Sequence, residues 1–205
     1  MNLPNSLTVT RIFLIPLLVV VLLTKFEGRH ILGVPKEMVG AAIFGLASLT
    51  DWLDGYLARR RKQVTTFGQM VDPVADKLLI SAALISLVQL ELAPAWMVFV
   101  IIGREFAITG LRSLAYARGV VIPASPLGKI KMIAEVVAIL ALILSREGTK
   151  DMNGLYLIGQ VALWVVVIAA LVSAADYFRR FNVLPGPRMA NINVTREPGA
   201  GRKVS

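Results

Sequence analysis

Long apolar segments recur along this chain of 205 residues, and they limit its fold more than any other feature does. Hydrophobic residues make up 56% of the sequence, and the mean hydropathy is +0.70. A helix needs about 20 apolar residues to cross the hydrocarbon core of a bilayer. Six segments approach or exceed that length: 8–25, 36–60, 71–91, 95–117, 127–145 and 154–178. We therefore expect an all-α, polytopic membrane bundle of six transmembrane helices.

Glycine and proline mark the predicted connections between these helices. The chain is expected to turn back between Lys62 and Gly68, and Pro73 fits the first turn of the third helix. Because the connections are short, we expect one compact domain over residues 1–181. The remaining residues, 182–205, are rich in Pro, Gly and Arg, and they predict a flexible basic tail.

Basic residues predict the orientation of the bundle. Of the 22 Lys and Arg residues, fifteen fall on one side of the predicted spans and five on the other. Cytoplasmic loops retain positive charge, so both termini are predicted to lie in the cytoplasm, with the protein in the plasma or inner membrane of the cell. The net charge of +9 is then explained by topology and by contact with anionic membrane lipids, and we expect no nucleic-acid partner.

Composition also restricts the chemistry. The chain has no Cys and a single His, His30. Disulfides, thiolate metal sites, Cys nucleophiles and paired-His sites are therefore excluded. Any reaction must use carboxylates, basic side chains and backbone groups.

Four carboxylates stand close together in the otherwise apolar sequence, at Asp51, Asp54, Asp72 and Asp76. On helices, the spacings of three and four residues place each pair on one face. Like charges at membrane depth are costly unless something holds them together. Oxygen ligands without His or Cys favour Mg²⁺ or Mn²⁺ over Zn²⁺, and the spacing predicts a site for one or two such ions.

Small residues beside these acids predict a place for a flat ligand. Gly55 and Ala58 leave the surface of the second helix bare, and Arg59 follows them. An arginine next to a metal site suits a phosphate or a base edge, so a nucleotide diphosphate is the expected ligand. Ordinary packing of small residues between membrane helices is the alternative.

The complete string, Asp51-x2-Asp54-Gly55-x2-Ala58-Arg59-x8-Gly68-x3-Asp72-x3-Asp76, resembles the signature of the CDP-alcohol phosphotransferase family without a mismatch. The resemblance implies metal-dependent transfer of a phosphatidyl group from CDP-diacylglycerol to an alcohol, with release of CMP. It implies a homodimer whose active site faces the cytoplasm.

The resemblance also implies roles for individual residues. Asp51, Asp54 and Asp72 would be metal ligands. Asp76 would be the general base and would also contact a metal. The CDP-diacylglycerol pocket would be lined by Gly55, Ala58, Arg59, Thr65 and Gly68, joined by Asn5 and Thr8 of the first helix. Capping of the first helix is the alternative role for Asn5 and Thr8.

Two further segments resemble the branch of the family whose acceptor is glycerol 3-phosphate. They are Asn2-x-Pro4-Asn5-x-Leu7-Thr8-x2-Arg11-x4-Pro16 and Gly103-Arg104-Glu105-Phe106, which continues to Gly128-Lys129-x-Lys131. Met132 and Glu135 depart from the branch pattern, which has Thr and Gln there. Cations beside an acidic metal site suit an anionic acceptor, so the predicted ligands of the acceptor phosphate are Arg104, Arg112, Lys129 and Lys131.

Alternatives remain for these residues and for the function. Arg104 lies inside a span and needs a partner, so a structural pairing of Arg104 and Glu105 with other helices competes with phosphate binding. Lys129 and Lys131 would equally serve as topology determinants. Inositol phosphate or phosphatidylglycerol would be other acceptors. Outside enzymes, a small-solute transporter would place acids in the membrane, but it predicts acids near span centres and paired repeats.

Overall fold

The computed structural model describes the backbone at residues 3–24, 30–31, 33–61, 66–117, 126–147 and 153–182. Side-chain surroundings are described at residues 10–24, 31, 33–50, 74–115, 131–146, 154–176 and 179. The predicted tail, 182–205, lies outside the described residues except for Asn182.

Six α-helices make up the described fold, which confirms the all-α prediction. They are α1 (Leu3–Leu23), α2 (Lys36–Arg61), α3 (Thr66–Gln89), α4 (Ala95–Ala117), α5 (Pro126–Leu144) and α6 (Asn153–Asn182). A single 3₁₀ turn, Ser145–Glu147, follows α5. Two strands of two residues each, β1 (His30–Ile31) and β2 (Val34–Pro35), form an antiparallel pair between α1 and α2. This small hairpin, with Gly33 at φ 80° in its turn, is a feature that the sequence did not predict.

The start of α3 differs from the prediction. The helix begins at Thr66, so Gly68 lies within it rather than in the turn, and Pro73 is its eighth residue rather than part of its first turn. A glycine costs a helix only about 1 kcal/mol, and membrane helices tolerate proline where neighbouring groups satisfy the freed backbone. α1 likewise continues through Pro16.

The helices enclose one apolar core. α1 packs against both α2 and α3, while α5 lies along α6 and also contacts α2. Phe44, Leu84 and Ile139 from α2, α3 and α5 are fully buried in the shared hydrophobic cluster. The core therefore ties α1 to the rest of the bundle through α2 and α3.

Two glycines allow close approach between helices. A Cβ atom at Gly40 would lie 2.5 Å from Leu22 Cδ2, and a Cβ at Gly159 would lie 2.7 Å from Leu142 Cδ2 and 3.2 Å from the Leu142 backbone nitrogen. Neither space admits a larger residue without movement, as is common where membrane helices cross closely. Gly40 thus fixes how α1 sits against α2, and Gly159 fixes α6 against α5.

The outer surface of the described bundle is strongly apolar. Phe99 is 78% exposed and Leu157 is 63% exposed. Within the described residues, the segment Gly154–Asp176 of α6 is the one helix that is long and apolar enough to span a bilayer by length and composition, with mean hydropathy 2.5, while Thr10–Leu23 is a shorter apolar helix. Exposed apolar surface on this scale marks contact with lipid or with another protein.

Candidate active site

The four acids of the signature lie on two consecutive helices. Asp51 and Asp54 are in the C-terminal half of α2, and Asp72 and Asp76 are in the N-terminal half of α3, beyond its first turn. α2 and α3 contact each other, and only residues 62–65 separate them, so the acids belong to the same end of the bundle. The helical backbone confirms the spacing argument for each pair. The side chains of Asp51, Asp54 and Asp72 lie outside the described side chains, so their convergence stays a prediction.

Arg11 of α1 lies at the depth of Asp51. The start of α2 lies beside the end of α1. Lys36 Nζ, at the start of α2, donates hydrogen bonds to the backbone oxygens of Leu22 at 3.2 Å and Thr24 at 2.9 Å. From the contact between Leu22 and Gly40, Arg11 is eleven residues back along α1 and Asp51 is eleven residues forward along α2. At 1.5 Å per residue, both lie about 16 Å from that contact. A cation that is only 1% exposed is therefore buried at the level of the acids.

The predicted CDP-diacylglycerol pocket falls mostly outside the described side chains. The backbone places its residues on three neighbouring helices and one connection: Asn5 and Thr8 on α1, Gly55, Ala58 and Arg59 on α2, Gly68 on α3, and Thr65 just before α3. Thr65 lies outside the described residues. The three helices that carry the others contact one another.

A network of charged side chains joins α4, α5 and α6. The Oε1 atom of Glu105 accepts hydrogen bonds from Arg104 Nη1 and from Lys131 Nζ, each at 2.5 Å. Lys131 Nζ also lies 3.2 Å from Oε2 of Glu135, one turn further along α5. On the other side, Arg104 Nε and Nη2 donate to Ser173 Oγ of α6 at 3.0 and 2.7 Å. Two predicted ligands of the acceptor phosphate are thus brought together, and each is already paired.

Asp76 borders the same network. Asp76, Ser81, Glu105 and Glu135 line a cavity of about 20 Å³ between α3, α4 and α5. A cavity of that size holds about one water molecule and is too small for a phosphate group.

The other two predicted ligands of the acceptor phosphate are less closely placed. Arg112 lies two turns beyond Arg104 on α4 and is exposed. Lys129 is in the first turn of α5, and its side chain lies outside the described side chains. Both belong to the ends of their helices, as their charge requires.

Sequence reasoning missed two members of the network. Ser173 is the one serine of a largely apolar helix, 69 residues from Arg104, and nothing in the sequence pointed to it. In the sequence, Glu135 stands out only as a departure from the pattern of the glycerol 3-phosphate branch. Its spacing of four residues from Lys131 on one helix nevertheless predicts an ion pair. The predicted contact between Arg104 and Glu105 is confirmed. This contact does not exclude phosphate binding by Arg104.

The donor set of the acids fits a hard divalent cation. Four carboxylates on two adjacent helical segments supply only oxygen ligands, which Mg²⁺ and Mn²⁺ prefer. Among the side chains that the structure describes, no other group of three or more His, Cys, Asp or Glu residues has the arrangement of a metal site. The aspartates of α2 and α3 stay the predicted metal ligands.

Comparison with known proteins shows the family of this chain. The profile of the CDP-alcohol phosphatidyltransferase family matches residues 1–175. The chain belongs to this family.

The relatives of this chain include proteins named as phosphatidyltransferases or as a phosphatidylglycerophosphate synthase. The CDP-diacylglycerol–glycerol-3-phosphate 3-phosphatidyltransferase of Bacillus subtilis (strain 168) is 48% identical over 184 residues, covering 87% of this chain and 94% of the relative. The enzyme of the same name from Rickettsia bellii (strain RML369-C) is 37% identical, again over 87% and 94% of the two chains. A probable phosphatidylglycerophosphate synthase of Mycobacterium tuberculosis (strain ATCC 25618 / H37Rv) is 37% identical over 87% of this chain and 81% of its own.

Proposed function

We propose that this protein transfers the phosphatidyl group of CDP-diacylglycerol to glycerol 3-phosphate, giving phosphatidylglycerol phosphate and CMP. One observation carries the proposal: the Bacillus subtilis enzyme named for this reaction is 48% identical across nearly its whole length. The uninterrupted aspartate signature on α2 and α3 supports it, since the reaction needs a site for a diphosphate.

The donor side of the site is formed by α1, α2 and α3. Asp51, Asp54, Asp72 and Asp76 would hold one or two Mg²⁺ or Mn²⁺ ions, which neutralise the diphosphate and the departing CMP when bound. Residues of the three helices and of the connection before α3 would bind the nucleotide: Asn5, Thr8, Gly55, Ala58, Arg59, Thr65 and Gly68. The placement of all of them except Thr65 on α1, α2 and α3 supports this assignment.

Asp76 would act as the general base. It accepts the proton of the acceptor's primary hydroxyl while the hydroxyl oxygen attacks the phosphorus of the phosphatidyl group. In a direct displacement, the bond between that phosphorus and the CMP oxygen breaks, and CMP leaves with the bonding electrons. The place of Asp76 at the cavity edge, half-buried and next to the cationic network, supports this role.

The acceptor side would be formed by α4 and α5. Arg104, Arg112, Lys129 and Lys131 would bind the phosphate of glycerol 3-phosphate, because charge-assisted hydrogen bonds to phosphate are strong in a partly buried site. The side chains of Arg104 and Lys131 are only 12% and 5% exposed. Both cations bond to Glu105, which lines the same cavity as Asp76. This arrangement supports binding of an acceptor whose phosphate and hydroxyl are at opposite ends.

We further propose that all six helices span the membrane, that both termini and the active site face the cytoplasm, and that two chains form a homodimer. The apolar outer surface of α1, α4 and α6 supports the membrane setting. The excess of basic residues at the end of the bundle that carries the aspartates supports the orientation.

The reaction is tested with purified protein in detergent. We expect CMP release from CDP-diacylglycerol to require both glycerol 3-phosphate and Mg²⁺ or Mn²⁺. Inositol phosphate and phosphatidylglycerol are compared with glycerol 3-phosphate at equal concentration. Faster CMP release with either one would overturn the choice of acceptor, and absence of CMP with every acceptor would overturn the enzyme assignment.

A further inference from the structure

Ser173 of α6 is the anchor of Arg104. Its Oγ accepts two hydrogen bonds from the guanidinium, from Nε at 3.0 Å and Nη2 at 2.7 Å, and its own hydroxyl donates to the backbone oxygen of Ala170 at 3.1 Å. A hydroxyl offers one donor and two acceptor positions, so all of its capacity is used. Ser173 is only 3% exposed, which fixes the guanidinium against a rigid helix.

Glu105 holds the two cations close to each other. Arg104 Nη1 and Lys131 Nζ each lie 2.5 Å from the same carboxylate oxygen, so the two nitrogens cannot be further apart than twice that distance. A phosphate that approaches one cation is therefore within reach of the other.

The network leaves hydrogen-bond donors for a ligand. Arg104 has five N–H groups, and its contacts with Ser173 and Glu105 use one on each nitrogen. Lys131 has three N–H groups, and two of them are directed at Glu105 and Glu135. The remaining donors belong to two neighbouring cations whose carboxylate partners, Glu105 and Glu135, line the same cavity as Asp76.

We propose that Ser173 and Glu105 are positioning residues, which hold Arg104 and Lys131 as a preformed pair for the phosphate of the acceptor. This inference rests on the proposed function. Arg104 and Lys131 contact the substrate, whereas Ser173 acts only through Arg104. A preorganised pair binds phosphate without first ordering two long side chains, so loss of the anchor weakens acceptor binding.

A purely structural role for the network makes a different prediction. If these contacts only held α4, α5 and α6 together, their loss would lower thermal stability and disturb donor and acceptor kinetics alike. Positioning instead affects the KM for glycerol 3-phosphate and leaves the KM for CDP-diacylglycerol unchanged.

The test compares Ser173→Ala with Ser86→Ala in the full-length protein. Ser86 is a matched control because it is 1% exposed and its Oγ donates within its own helix, to Ala82 at 2.8 Å, without a charged partner. We expect Ser173→Ala to raise the KM for glycerol 3-phosphate about tenfold, because the guanidinium loses both bonds to Oγ and must be ordered when the phosphate binds. The kcat and the KM for CDP-diacylglycerol should stay within about twofold, and Ser173→Thr, which retains the hydroxyl, should recover the acceptor KM.

An unchanged acceptor KM in Ser173→Ala overturns the proposal, and so does an equal loss for both substrates together with a lowered melting temperature. If Ser173→Ala does not fold, Glu105→Gln takes its place, with the same selective rise in the acceptor KM expected and an unchanged value contradicting it. Failure of the proposed function looks different, because wild-type protein would then release no CMP in response to glycerol 3-phosphate.

Discussion

At the scale of single residues, the site depends on where charges are buried. Arg11, Lys131 and Glu135 are each less than a tenth exposed in an apolar bundle. Buried charges are retained only where partners or ligands compensate for lost hydration. The described partners of Lys131 are carboxylates on α4 and α5, and Arg11 lies at the depth of the signature acids. Among the described residues, Lys36 and Glu37 at the start of α2 are buried as deeply, so charge burial supports the site only together with these contacts.

Asp76→Asn separates proton transfer from substrate binding. Asparagine keeps the shape of the side chain but cannot accept the hydroxyl proton, so we expect CMP release to fall by at least about 100-fold. Metal-dependent binding of CDP-diacylglycerol, measured by titration in detergent, should remain appreciable. Loss of all binding would show that Asp76 is chiefly a metal ligand.

Arg11→Met tests whether the buried guanidinium interacts electrostatically with the signature acids at its depth. Loss of one member of a buried charge arrangement costs about 3–5 kcal/mol, so we expect a lower melting temperature. Added Mn²⁺ should raise the melting temperature of this variant more than that of the wild type, since the cation replaces missing positive charge among the acids. Arg179→Met, at an exposed position of α6, is the control. An equal effect of Mn²⁺ on all three proteins would contradict the prediction.

At the scale of helices, glycine contacts set which residues share a level. The contact of Gly40 with Leu22 brings Arg11 level with Asp51, and the contact of Gly159 with Leu142 brings α6 onto α5. Since the residues of a helix are rigidly related, one close contact fixes the depth of all the others. The position of Ser173 opposite Arg104 follows from such interhelical placement.

Gly159→Ala should weaken the packing of α5 against α6. The added methyl group would meet Leu142, including its backbone nitrogen at 3.2 Å, and overpacking of this kind costs about 1–3 kcal/mol. Gly110→Ala in α4 is the matched control, because nothing lies within 4 Å of its Cβ position. Thermal unfolding in one detergent should show a lower melting temperature for Gly159→Ala alone. Equal melting temperatures for the two variants would rule out close packing at Gly159.

At the scale of the whole molecule, apolar surface and charged site are segregated. α5 and α6 also form a groove of about 540 Å³ lined entirely by apolar side chains, including Ile133, Val137 and Val161. This groove is larger than the cavity beside Asp76, but it has no group that could take part in phosphoryl transfer. It is suited to acyl chains or to another apolar surface, as the outer face of a membrane protein requires.

Membrane topology is testable because the chain has no cysteine of its own. We expect Glu147→Cys, in the turn after α5, to react with an impermeant maleimide only from outside the cell. Ser205→Cys, in the tail, should react only in inverted vesicles, since the predicted orientation places both termini in the cytoplasm. Labelling of both positions from the same side would show that α6 does not cross the membrane.

The sequence by itself determined the helices and the acids. Apolar segments of membrane length predicted six helices because only internally bonded backbone is stable in lipid. The boundaries agreed closely except at the starts of α1 and α3 and at the end of α6. The spacing of Asp51, Asp54, Asp72 and Asp76 needed nothing beyond helical geometry. These are local properties, and neighbouring residues suffice to fix them.

Only the tertiary structure decided which distant residues meet. The pairing of Arg104 with Ser173 spans 69 residues, and the sharing of Glu105 by Arg104 and Lys131 joins two helices. The depth of Arg11 relative to Asp51 likewise depends on the contact at Gly40. Such contacts depend on how the helices cross. The crossing is set by close packing of side chains from separate segments, and this packing leaves no periodic pattern in the sequence.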